Sequence, residues 1–336
     1  MVAMPMPVSA RRVDRGPTRR TMLTATALAF SPALRAQGRF PQRPITLVVP
    51  FGAGGIADLM ARSLAEQMAE HLGQPVVIEN KPGAGSIVAS RAVASESPDG
   101  HTLLLMSNGH AVSVGLFRQL PVDPRRAFTP ITTLGFFDLG LFVPAGSRFN
   151  TLADLLAFAK ANPGRLTVGS IAPGSTQHLA GRLFDTTAGV DSLAVPYNGS
   201  PAVLAALRGG QVDVAFEIVG PMLPQVQAGA VRALAVTGPR RNAALPAVPT
   251  VTESGVASYE VTSWNGLAAP AGTPTTALQL LHEAALAALS AQVVRDRLAA
   301  LGVRLQGSTP DAMAELLARE IERWGAVIRR AGITPN

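Results

Sequence analysis

The chain has 336 residues, enough for about two domains of ordinary size. Hydrophobic residues make up 47% of it and charged residues 15%, so the composition excludes an intrinsically disordered polypeptide. The sequence has no cysteine, which excludes disulfides, thiolate metal ligands and cysteine catalysis, and no apolar run reaches the roughly 18 residues of a membrane-spanning helix.

The net charge of +7 comes mainly from the first 36 residues, which hold six arginines and one acid and leave only +2 for the rest. A basic nucleic-acid-binding face is therefore not expected. Arginines, then an apolar run over 22–30, then small residues near Ala36 form the order of a secretory signal. We expect residues 1–36 to be an export signal, with Arg19-Arg20 also suiting the twin-arginine route, and a periplasmic mature protein.

After this leader, predicted strands and helices alternate. Residues 45–51 are apolar on both faces, as a parallel strand between helices is. From Ile56 to Leu72 apolar residues recur every four positions, which predicts a helix that Gly73 ends. Further strands are predicted at 76–79, 102–106, 139–143, 166–170, 193–195, 212–218, 231–236 and 261–264, and further helices after 86 and 175 and over 151–161, 275–301 and 310–330. This order predicts an α/β fold with mostly parallel sheets flanked by helices.

Three turns rich in glycine and hydroxyl residues follow predicted strands, at 51–55, 107–109 and 170–176. Ligands of open α/β sheets bind at such strand ends, and free N–H groups at helix starts favour anions. A carboxylate could therefore be held there without arginine or lysine. The alternative is that these glycines only form tight turns.

Other chemistry has weaker support. The Gly52-Ala53-Gly54-Gly55 turn lacks the ending of a phosphate loop, so nucleotide binding is not expected. Ser175 and His178 could be a nucleophile and a base, but no Gly-x-Ser-x-Gly elbow is present, which favours a helix cap. The histidines lack paired metal-ligand spacing, so no metal site is expected.

Three further side chains each have two interpretations. Asp58 could interact with its helix dipole or face a ligand. Glu217 ends an apolar strand, where it could lie at a pocket edge or be a plain strand-end charge. Tyr197 could line a cleft or pack within it.

Taken together, the segments resemble the Bug family of tripartite tricarboxylate transporter substrate-binding proteins. The resemblance extends in order over nearly the whole mature chain. The segments that carry it are 44–51, Gly54-Gly55, Asp58, 72–85, 98–100, 174–181, 195–197, 207–214, 233–237, 246–250 and 269–274.

The resemblance implies a two-domain periplasmic binding protein of type II-like fold. One lobe would combine residues 38–138 with 258–336, the other would be 139–257, and the ligand cleft would lie between them. It implies capture of a small organic acid and delivery to integral membrane permease subunits, without catalysis or cofactor. We expect a monomer. The implied ligand-binding residues are Phe51, Gly52, Ala53, Gly54, Gly55, Asp58, Ser107, Asn108, Ser170, Gly174, Ser175, His178, Tyr197 and Glu217.

The chain departs from the family pattern at three places that affect ligand choice. Gly52-Ala53 replaces the usual Pro-Pro, Ala57 replaces a hydroxyl residue, and Glu217 stands where aspartate is usual. Two other functions stay open. One is an exported α/β hydrolase that uses Ser175 and His178, and the other is a ligand-sensing partner of a membrane signalling protein.

Overall fold

The computed structural model describes Met1, Val2, Ala10 and residues 40–83, 86–171, 175–330 and 332–335. Apart from those first three residues, the expected export signal over 1–36 lies outside the described residues, and so does Gly174. The chain from Phe40 onward forms one compact unit.

The first elements follow the predicted strand–loop–helix order. The first strand is almost wholly buried, as its apolar run predicts. The first helix ends at Gly73, whose φ of 67° lies in the left-handed region that glycine adopts readily. The elements up to residue 127 are β1 (Ile45–Val49), α1 (Ile56–Leu72), β2 (Val76–Asn80), α2 (Ile87–Ala94), β3 (Thr102–Ser107), α3 (Asn108–Leu116) and α4 (Pro124–Ala127).

The remaining elements follow the predicted order. The strand at 231–236 and the helix at 310–330 have the predicted bounds, several others differ from them, and the short strand at 304–305 was not predicted. Thr151 and Asp154 form a capping box at the start of the helix predicted over 151–161. The elements are β4 (Phe128–Pro144), α5 (Leu152–Ala161), β5 (Leu166–Ile171), α6 (Thr176–Ala188), β6 (Ser192–Tyr197), α7 (Ser200–Arg208), β7 (Val214–Ile218), α8 (Val219–Gln227), β8 (Val231–Val236), β9 (Thr262–Pro270), α9 (Thr275–Ser290), α10 (Gln292–Ala299), β10 (Arg304–Leu305) and α11 (Pro310–Arg330).

Two predictions of single elements were wrong. The strand predicted at 139–143 is only the end of the 17-residue β4, because register shifts near Pro130 and Gly135 interrupt the alternation before it. The helix predicted over 275–301 is two helices, since Ala291 takes an extended conformation and the axes bend by 65°. Neither glycine nor proline marks that break.

The long strand β4 connects two groups of strands. The strand order is β2-β1-β3-β9-β4-β7-β5-β6, and β8 and β10 also pair with β4. Up to Asp138, β4 pairs with β9; from Leu139 it pairs with β7 and β8. The pairs β1–β2, β1–β3, β5–β6 and β5–β7 are parallel, and the pairings of β4 and β9 are antiparallel.

Buried apolar side chains fill both faces of these sheets. One cluster packs α1 and α9 on β1, another packs α7 and α8 on β7, and the largest contains Trp264 and Trp324 beside β4. Among the described helices, none alone has the length and apolar composition needed to cross a membrane. Taken together, α9 and α10 have that length and composition, but their axes bend by 65°.

Candidate functional site

Loop 1, residues 51–55, joins β1 to α1. Gly52 and Gly54 are exposed, and a Cβ atom built on either would meet nothing within 4 Å. Gly54 has a φ of 81°, and Gly55 precedes α1 without a side-chain cap. The start of α1 is therefore an open site whose backbone N–H groups favour an anion.

Asp58 supports loop 1 from within the protein. It is only 2% exposed, and it accepts hydrogen bonds from Gly54 N (2.9 Å), Arg62 Nε (3.0 Å) and Asn80 Nδ2 (2.9 Å). Burial alone would raise the pKa of Asp58, but these hydrogen bonds outweigh burial and lower the pKa below its ordinary value. Both carboxylate oxygens are engaged, so Asp58 is placed to hold the loop.

Loop 2, residues 107–109, follows β3 and begins α3. Ser107 Oγ accepts from Gly109 N (3.3 Å), and His110 Nδ1 accepts from Ser107 N (3.0 Å). Because Nδ1 is an acceptor, the imidazole proton lies on Nε2, for which the described residues provide no hydrogen-bond partner. Burial lowers the pKa of His110 to about 4, so the ring is neutral.

Asn108 joins loop 2 to the start of α6. Its side chain is fully buried, and its Nδ2 donates to Thr176 Oγ1 at 3.1 Å. Trp324 Nε1, on α11, donates to Asn108 Oδ1 at 2.8 Å. Thr176 Oγ1 also lies 3.2 Å from Ser263 Oγ. Asn108 therefore connects the start of α3, which follows β3, to the start of α6, which follows β5.

Loop 3, residues 170–175, begins with the last two residues of β5 and extends to the start of α6. Its residues 172–174 lie outside the described part of the chain. Ser175 Oγ donates to Ile171 O and accepts from His178 N, both at 3.1 Å. Its proton is thus directed to a backbone carbonyl, while His178 Nδ1 has no hydrogen-bond partner among the residues that the structure describes. Burial lowers the pKa of His178 to about 4. The pair is a helix cap, not a nucleophile bound to its base.

Removing this cap should weaken both fold and site. We expect Ser175→Ala to cost about 1 kcal/mol of unfolding free energy, because His178 N loses its acceptor. Ligand affinity should fall with it, since the same hydroxyl holds loop 3. Ser175→Thr keeps the hydroxyl and should behave as the parent. Thermal melts and calorimetric titrations test this; equal affinity in all three proteins would contradict it.

Glu217 and Tyr197 lie beside loop 3. Glu217 is 0% exposed; its Oε2 accepts from Ser200 Oγ (2.8 Å), Ile218 N (3.2 Å) and Gln177 Nε2 (3.4 Å). Within the described part of the chain its Oε1 has no hydrogen-bond partner, and burial raises the pKa of Glu217 to about 7. Tyr197 is half-buried at the end of β6, opposite Ile171 in the ladder.

The predicted site residues that the structure describes thus lie at or just after the ends of β1, β3, β5, β6 and β7. Ser170 is buried at the end of β5, whereas Phe51 and Ala53 complete loop 1. No group of three metal-ligating side chains occurs among the described residues. Sequence reasoning missed the partners Thr176, Gln177, Ser200, Ser263 and Trp324. A polar first turn in α6 and α7 is a signal that could have found three of them.

Comparisons with known proteins identify the family of this chain. The profile of the tripartite tricarboxylate transporter family receptor matches residues 60–333. A protein of Pseudomonas sp. (strain P51), described as the UPF0065 protein in the tcbD-tcbE intergenic region, is 39% identical over 322 residues, which are 95% of this chain and 96% of that protein.

Two similar solved structures contain dicarboxylates. The R. palustris protein with adipate is 36% identical with a TM-score of 0.84, over 88% of this chain and 100% of that one. MatC from Rhodopseudomonas palustris, with bound malate, is 35% identical with a TM-score of 0.80, over 86% of this chain and 100% of that one. This chain belongs to the tripartite tricarboxylate transporter receptor family, whose members are periplasmic solute-binding proteins and not enzymes.

Proposed function

We propose that this protein captures a small dicarboxylate at loops 1, 2 and 3 and delivers it to the membrane subunits of a tripartite transporter. The observation that carries the proposal is the hydrogen bond from Asn108 to Thr176, which joins the start of α3 to the start of α6. Helix starts favour negative charge, and α1 begins without a side-chain cap. The dicarboxylates in the two R. palustris proteins support the ligand class.

The proposal includes two lobes, residues 38–138 plus 258–336 and residues 139–257, that close on the ligand. The change of partner along β4, from β9 to β7 and β8 after Asp138, supports a crossing there. Thr237 supports the other crossing, because its N–H donates to Leu139 O and its hydroxyl to Val261 O. Asn108 and Thr176 would then lie on opposite lobes. Residues 1–36 would be the export signal.

A thermal-shift screen tests the ligand class. We expect a saturable rise in melting temperature with one set of four- to six-carbon dicarboxylates, because a ligand of the native state stabilises it by mass action. Sugars, nucleotides and monocarboxylates serve as controls. Gly54→Val should abolish the rise, since valine is strained at a φ of 81° and would fill the open face of loop 1. No rise with any carboxylate would contradict the proposal.

Deletion of the gene separates delivery from sensing. Loss of dicarboxylate uptake is the result expected of a transport receptor. Intact uptake together with a lost response to the ligand would instead favour a partner of a signalling protein.

A further inference from the structure

Among the described residues, Asn265 is a buried amide without a conventional hydrogen-bond partner. It lies within β9 and is 1% exposed. In the described part of the chain its Nδ2 reaches only Met60 Sδ, at 3.8 Å, and its Oδ1 has no hydrogen-bond partner. A buried polar group left unpaired costs free energy, so such a group in a native protein requires an explanation.

The position of Asn265 connects it to the proposed site. In the ladder between β3 and β9 it lies directly opposite Ser107, the residue that begins loop 2. Its contact Met60 lies one turn into α1, the helix that loop 1 begins. Directly paired residues of neighbouring strands place their side chains on the same face. Asn265 is therefore held between the strand that carries loop 2 and the helix that follows loop 1.

The contact with sulfur defines which end of the amide is unpaired. A thioether is a weak acceptor and cannot donate, so the NH₂ group of Asn265 faces Met60 and the carbonyl oxygen is left over. A carbonyl oxygen requires a donor. The carboxylate groups of a ligand have none, whereas a hydroxyl or an ammonium group on the ligand carbon chain does.

We infer that Asn265 is a specificity-determining residue, whose Oδ1 accepts a hydrogen bond from a hydroxyl or ammonium substituent of the dicarboxylate. The inference rests on the proposed function and narrows its ligand class to substituted diacids. The buried oxygen then has its partner only when such a ligand is bound. Leucine at this position would keep the branching at Cγ and remove both polar ends.

The test uses three four-carbon diacids that differ at one carbon. Succinate has no substituent, malate has a hydroxyl and aspartate has an ammonium group. We expect the parent protein to bind malate or aspartate roughly tenfold more tightly than succinate in calorimetric titrations. Asn265→Leu should remove that preference and leave succinate affinity within about threefold. Comparing the affinities for malate and aspartate would also show whether Asn265 accepts from a hydroxyl or from an ammonium group.

The control is Asn242→Leu, which removes another buried amide. Asn242 has partners at both ends, Asp138 Oδ2 and Ala244 N, each at 3.0 Å. That variant should melt at a lower temperature and keep the preference, while Asn265→Leu should melt no lower than the parent protein. If Asn265→Leu does not fold, Asn265→Ala replaces it.

Three outcomes overturn the inference. The parent protein could bind all three diacids equally, Asn265→Leu could keep the preference, or it could weaken all three equally together with a lower melting temperature, as a structural residue would. Binding of no diacid at all, of four to six carbons, would instead overturn the proposed function.

Discussion

Glu217→Gln is expected to be more stable than the parent protein at pH 8 and equally stable below pH 4.5. Glu217 is fully buried. The hydrogen bonds that stabilise its charged form all go to Oε2. Burial raises its pKa from 4.5 to about 7. Glutamine has the shape of the protonated acid and can accept the same three hydrogen bonds, so it should fit without rearrangement.

The sign of the pH dependence follows from the direction of the pKa shift. Below pH 4.5 Glu217 is protonated in both the folded and the unfolded chain, and its favourable contribution is complete. Between pH 4.5 and 7 the folded state holds a proton that the unfolded state has released, so stability falls as pH rises. The loss is complete above about pH 7 and amounts to about 3 kcal/mol.

Denaturant unfolding of both proteins from pH 4 to pH 8 measures this difference. Glu283→Gln, on the exposed face of α9, is the matched control and should follow the parent protein at every pH. Other groups titrate in all three proteins, so the quantity to compare is the difference in unfolding free energy at each pH. A constant difference between Glu217→Gln and the parent protein would show that the pKa of Glu217 is the same in the folded and the unfolded chain.

The pattern of the sequence predicts local structure well where one face is buried. The four-residue recurrence from Ile56 and the glycine at 73 predict both bounds of α1. The first half of β4 was missed because Pro130 and Gly135 disturb its alternation, and its pairing with β9 joins residues more than a hundred positions apart. Such pairings depend on tertiary packing, which local propensity does not encode.

The site was predicted in the same uneven way. Strand-end glycines and hydroxyls predicted three loops that lie at strand ends in the structure, and a charge at the end of an apolar strand singled out Glu217, which is buried. The pairing of Asn108 with Trp324 and Thr176 could not be derived, since these residues lie 216 and 68 positions from it along the chain. Spacing also suggested a Ser175–His178 pair, where the hydroxyl instead bonds to backbone groups.

Asp58→Ala is expected to weaken ligand binding strongly. The change removes the acceptor of Gly54 N, of Arg62 Nε and of one bond from Asn80 Nδ2. We expect a loss of about 2–3 kcal/mol in unfolding free energy, discounted because Arg62 is half exposed and can turn to water. Affinity for the dicarboxylate should fall by roughly a hundredfold, because loop 1 no longer holds the conformation that opens the start of α1.

Asp154→Ala is the control, because Asp154 also accepts two backbone N–H groups at a helix start, from Asn150 and Thr151. It is exposed and lies in α5, away from the three loops, so its loss should lower stability less than Asp58→Ala does and leave affinity unchanged. Unchanged affinity in Asp58→Ala, with the expected loss of stability, would mean that loop 1 takes no part in binding.

Asp58→Asn separates the charge of Asp58 from its role as an acceptor. Asparagine can still accept from Gly54 N but loses its ion pair with Arg62, so its affinity should lie between those of the parent protein and the alanine variant. Because the pKa of Asp58 is below its ordinary value of 3.8, its charge stabilises the fold above that pH and ceases to do so as pH falls through the folded pKa. The stability difference between the parent protein and Asp58→Asn should therefore begin to narrow below about pH 4 and close once the pH is below the folded pKa. A difference that persisted there would mean that the amide disturbs the packing around Asn80, and that shape rather than charge holds loop 1 in place.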